Sequence, residues 1–111
     1  MTSPDRKALV AAYKEQTTIA GVFAVQCTAT GQAWVGHSRH IDTHQNGLWF
    51  ALKHGSGRTA SLQQAWNAHG PDDFRFEQLD RLPADISDLR KVDELKKRAA
   101  LWTARLDAEA I

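Results

Sequence analysis

A chain of 111 residues is long enough for one domain with a core of its own and too short for two. Hydrophobic residues make up 42% and charged residues 24%, which excludes a low-hydropathy disordered chain. The net charge of +1 argues against a large phosphate-binding surface, and a single cysteine, Cys27, excludes a disulfide framework and a thiolate zinc site. No apolar run approaches the roughly 18 residues of a membrane span. Met1-Thr2-Ser3-Pro4-Asp5 lacks the basic and apolar regions of a signal peptide. No membrane partner and a cytoplasmic location are therefore expected.

In chain order, Ser3, Pro4 and Asp5 open an expected N-terminal helix over 1–16, with Leu9, Ala12 and Tyr13 as its apolar stripe. Gly21–Cys27 alternates Phe23, Val25 and Cys27 against Val22, Ala24 and Gln26, the pattern of a strand. Ala29-Thr30-Gly31-Gln32 supplies a turn, and Trp34-Val35-Gly36 a second strand, so the pair reads as a hairpin. Gly36 leaves room for close approach of backbone or ligand. Ile41, Leu48, Trp49 and Leu52 recur at helical spacing and predict a helix over Ile41 to Lys53. Gly55-Ser56-Gly57 reads as a flexible loop. Thr59 or Ser61 caps a second helix that buries Leu62, Ala65 and Trp66. Gly70-Pro71 turns the chain into a third strand, Phe74–Leu79. Asp85 or Ser87 caps a last helix to about Asp107, with Leu89, Val92, Leu95, Ala99, Trp102 and Leu106 as its buried stripe. Cys27, mid-strand, is a small core residue.

Five matches occur in order: Gly21-Val22-Phe23, Thr30-Gly31, Trp34-Val35-Gly36, Leu62-Gln63-Gln64-Ala65-Trp66-Asn67 before Gly70, and Phe74-Arg75-Phe76-Glu77. Together they resemble the GIY-YIG nuclease superfamily. The resemblance implies an α/β fold with a small three-stranded antiparallel sheet flanked by helices, here with the extra N-terminal helix. It implies one domain over 1–111, with a motif core over 20–79 and a C-terminal helix over 85–108. In that family two tyrosines, an arginine and a metal-binding glutamate catalyse phosphodiester hydrolysis with one divalent metal. The matching positions here hold Phe23, Trp34, His44 and Ala99. The motif glycines Gly21 and Gly36 are kept. A phenyl ring has no hydroxyl to relay a proton, and an indole offers only a donor. His44 alone of the four could act as a base or carry charge, without the bidentate fork of arginine. The resemblance thus implies a nucleic-acid-binding relative with lost or altered endonuclease activity. Magnesium or manganese enters only if activity remains.

Around the same stretch, His37, Arg39, His40, Lys53, His54 and Arg58 form a basic set placed by the resemblance near a nucleic-acid backbone. His37, His40 and His44 are spaced by three and four residues, which would suit zinc if the segment were helical throughout; polar loop residues are the alternative. Glu77 and Glu94 are the acids a metal would find nearby, and each also fits an ordinary strand or helix position. A protein-interaction module or homodimer on the same fold is the competing class, and apolar residues exposed on the last helix would favour it.

Overall fold

The computed structural model describes residues 19–111. The helix expected over 1–16 lies outside the described residues. The hairpin forms as the alternation dictates: β1, Gly21–Cys27, pairs antiparallel with β2, Ala33–Ser38. Gly31 takes φ +79° in the turn between them, a conformation in which a Cβ would clash with the backbone. Helix α1 spans Ile41–Lys53 and α2 spans Ala60–His69. A 3₁₀ turn over Pro71–Asp73 leads into β3, Phe74–Arg81, which pairs antiparallel with β1. The long helix α3 covers Asp88–Leu106, with the Ser87 hydroxyl accepting a hydrogen bond from the Arg90 N–H. No described helix is long and apolar enough to cross a membrane.

The expected three-stranded antiparallel sheet is instead four-stranded and mixed, in the order β3-β1-β2-β4. Strand β4, Glu109–Ala110, pairs parallel with β2 opposite Trp34 and Val35. Asp107, at φ 50° and ψ 48°, ends α3 in the left-handed conformation and turns the chain back onto the β2 edge. A two-residue strand is too short for any alternation to announce it.

Strand β1 is central and carries both cores. On one face Phe23, Val25, Cys27 and Trp34 pack with Ile41, Leu52, Leu62 and Trp66 of α1 and α2. On the other, Val22, Ala24 and Val35 pack with Leu95, Trp102 and Leu106 of α3. Phe23 and Trp34, 2% and 1% exposed, are thus buried on the sheet face opposite α3. Packing against the last helix would require the other parity of the strand. The apolar stripe of α3 is also shorter than its spacing suggests. Leu89 is 89% exposed and Val92 is exposed too, because the sheet residues beneath the helix reach only Leu95 and beyond.

Gly21 and Gly36 each have a steric reason. A Cβ on Gly21 would lie 2.3 Å from the Asp80 carbonyl oxygen, beside the bulge that leaves Leu79 unpaired opposite Val22 and Phe23. A Cβ on Gly36 would lie 2.7 Å from Cζ of Phe23 and 3.1 Å from Cγ1 of Ile111.

Candidate functional site

The ring of Phe23 projects from β1 toward α1. It stacks on Phe76 of β3 at 5.0 Å between centroids and meets the imidazole of His44 at 4.5 Å. His44 stands on the first turns of α1, whose start is held to β3: the Arg81 guanidinium and the Gln78 amide both donate to the Asp42 carboxylate. Those bonds, Arg81 first, hold the Asp42 carboxyl below its ordinary range. His44 is half-buried, and burial pushes its pKa down, with His40 and His37 adding like-charge repulsion.

Behind these rings opens a cleft of about 330 Å³, lined by Phe23, His37, His44, Arg58, Thr59 and Ile111 among others. The Gly55-Ser56-Gly57 loop that brings Arg58 to its rim is tied down rather than free. The Gly57 N–H donates to Oε1 of Gln63 at 2.9 Å, while Nε2 of Gln63 donates to the Leu52 carbonyl and to Asn67.

Trp34 lies deeper, stacked at 6.2 Å on Phe74. Its indole Nε1–H donates to the Ser61 hydroxyl at 3.0 Å, and Ser61 donates to the Glu109 carboxylate. Indole, hydroxyl and carboxylate thus form a chain at the second motif position. Glu109 was not marked by the sequence, and Ser61 only as a candidate cap; Thr59 is the N-cap instead, and Ser61 and Glu109, 48 residues apart, meet only because β4 lies on the β2 edge.

Ala99 faces a different groove. It lines a space of about 550 Å³ beside α3 with Lys96, His37 and Ile111. The basic set divides likewise. His37 and Arg58 share the cleft with His44, Arg39 lines a shallow groove with Asp88, Leu89, Val92, Asp93 and Lys96, and His40, Lys53 and His54 do not line the cleft. Among the described residues no three His, Cys, Asp or Glu side chains converge as metal ligands, the His37/His40/His44 set included. His37 is in β2 and His40 precedes α1, so the three never share one helical face. Among the described residues the position that the resemblance gives to a metal-binding glutamate holds Ala99, which brings no donor atom, and the Glu109 carboxylate accepts a hydrogen bond from Ser61. Glu77 is exposed on β3, and Glu94 accepts a hydrogen bond from Arg98.

No protein-family model matches this chain, and no curated protein matches it. Among solved structures it is similar to the catalytic domain of homing endonuclease I-TevI, with a TM-score of 0.69 and 20% identity over 83% of this chain and 97% of that one. It is similar also to a point mutant of the I-TevI catalytic domain, with a TM-score of 0.68 and 21% identity over 81% of this chain and 86% of that one. At that identity the likeness concerns backbone arrangement, and it agrees with the ordered motif series over Gly21–Glu77. The chain therefore has a GIY-YIG-like fold, that of the nuclease catalytic domain it superposes on.

Proposed function

We propose that this protein is a nucleic-acid-binding GIY-YIG-like module whose endonuclease chemistry is lost or altered. The observation that carries the reading is the cleft itself. It has a concave face lined by His37, His44 and Arg58, where the phenyl ring of Phe23 offers no hydroxyl, and Ala99 faces another groove. Such a face contacts phosphates without reading sequence, so binding is weak and electrostatic. His44, whose charged form burial disfavours, contributes shape more than charge; Arg58 on the cleft and Arg39 in the separate groove beside Asp88 and Asp93 carry the charge.

The test is fluorescence anisotropy of short labelled single-stranded, branched and duplex DNA across salt, beside a cleavage assay with magnesium or manganese. Affinity should fall with salt by about 0.7 to 0.9 log units per phosphate contact for each log unit of salt. The Arg39→Ala/Arg58→Ala double variant should shallow that slope with the fold intact. Absence of binding at low salt, or binding indifferent to both arginines, would refute the reading. Metal-dependent cleavage abolished by a point change in the cleft would instead restore the enzyme.

The exposed Leu89 and Val92, one turn apart near the start of α3, favour a second reading, a protein partner or a second copy seated on that helix. Concentration-dependent mass in analytical ultracentrifugation, removed by Leu89→Glu, would support the second copy.

A further inference from the structure

The cleft beneath α1 and the groove beside α3 share two lining residues, His37 and Ile111. Ile111 is the divider. Its N–H donates to the Val35 carbonyl at 2.9 Å, and its side chain lies over Gly36 against the same spot that Phe23 covers. The close approach that Gly36 permits is thus occupied by this chain's own residues. What holds the divider in place is slight: a two-residue parallel ladder, the Ile111 N–H bond to Val35, one hydrogen bond from Ser61 to an exposed glutamate, and one side chain 37% exposed. Elements held this way open locally at small cost.

We propose that β4 with Ile111 is an autoinhibitory latch that splits one nucleic-acid groove in two. The inference rests on the nucleic-acid reading of the cleft. With the latch seated, Arg58 and Lys96 border separate spaces, and the Glu109 carboxylate stands beside β2. With it unseated, one groove runs from Arg58 past His37 to Lys96, and Glu109 leaves with the strand. Asp107 remains at the far end beside α3. A continuous groove with cations along it suits an extended single strand, whose backbone it can follow. Apparent affinity is then the open-state affinity multiplied by the fraction open, so a latch open about one-tenth of the time weakens binding about tenfold.

Two measurements test this. In the native chain, hydrogen exchange by NMR should show the Ile111 amide slowed only about tenfold, while amides of the β1–β2 ladder are slowed a thousandfold or more, as global opening requires. Equal protection of Ile111 and that ladder overturns the latch. Separately, a labelled single-stranded oligonucleotide is titrated against the native chain, Lys96→Ala, Glu109→Ala/Ile111→Ala, and the triple variant. The unlatched chain should bind about tenfold tighter. Lys96→Ala should weaken the native and the unlatched chain by the same several-fold factor, because both bind through the open groove. An unlatched chain that binds no tighter, or a Lys96→Ala change without effect in the unlatched chain, overturns the latch and leaves the nucleic-acid reading standing. Failure of all four proteins to bind refutes that reading and the latch with it.

Discussion

Phe23 and Trp34 are the two large rings that the first two strands bury beneath α1 and α2. Each is almost fully buried, one between His44 and Phe76, the other on Phe74 with its N–H given to Ser61. Truncating either to Ala should cost about 3 to 5 kcal/mol, from lost burial and an unfilled cavity. Urea denaturation gives that number directly, and a loss under about 1 kcal/mol would contradict the packing described. His44 makes a pH prediction. Its pKa is lower folded than unfolded because burial, His40 and His37 all disfavour the charged form. The folded state therefore binds fewer protons, and stability is full above the ordinary histidine value of about 6.5. Stability should decline as pH falls from there toward the depressed folded value, then level off for this group. A His44→Phe variant should lose that part of the decline, as read from melting temperature against pH. A native-like pH profile in the variant would show that other groups carry it.

The loop between α1 and α2 is the element on which the cleft's charge depends. Gln63 takes the Gly57 N–H and donates to the Leu52 carbonyl and to Asn67, so one amide spans the loop, the end of α1 and its own helix. Gly57 has no room for a side chain there: a Cβ would lie 2.7 Å from Oε1 of Gln63 and 2.8 Å from Cδ2 of Leu52. Gln63→Ala should cost about 1 to 2 kcal/mol, since it leaves the part-buried Gly57 N–H without a protein partner. It should also speed exchange of the Gly57 amide. Retained protection at Gly57 would mean the loop is held by something other than Gln63.

At the scale of the whole molecule, two apolar clusters share one strand. Phe23 and Val25 of β1 belong to one, Val22 and Ala24 to the other, so neither cluster can come apart without disturbing β1. Leu95→Ala, on the α3 side, should therefore lower the stability of the whole fold by about 2 to 5 kcal/mol. The tryptophans permit a check, because Trp34, Trp49 and Trp66 belong to the α1–α2 cluster and Trp102 to the α3 cluster. Unfolding followed by far-UV circular dichroism should coincide with unfolding followed by the fluorescence of a variant retaining Trp102 alone. Separate midpoints would show two independently melting halves.

The residues alone determined the hairpin, the two helices after it and the third strand. Each rests on local signals: two-residue alternation at Phe23, Val25 and Cys27, helical spacing through Ile41, Leu48 and Leu52, and turn chemistry at Gly31 and Gly70. They also determined the GIY-YIG likeness, because its motif is a linear order of such signals. The parity of β1 was legible, but not which helices lie on which side. Alternation groups Phe23 with Val25 and Cys27 and is silent about the partner, and the tertiary structure set α1 and α2 there and α3 opposite. The exposure of Leu89 and Val92 depends likewise on how far the sheet extends beneath α3. Only tertiary structure could bring β4 to the β2 edge, join Trp34, Ser61 and Glu109, and lay Ile111 over Gly36. Those contacts link residues far apart in sequence, through a strand too short to carry any pattern of its own.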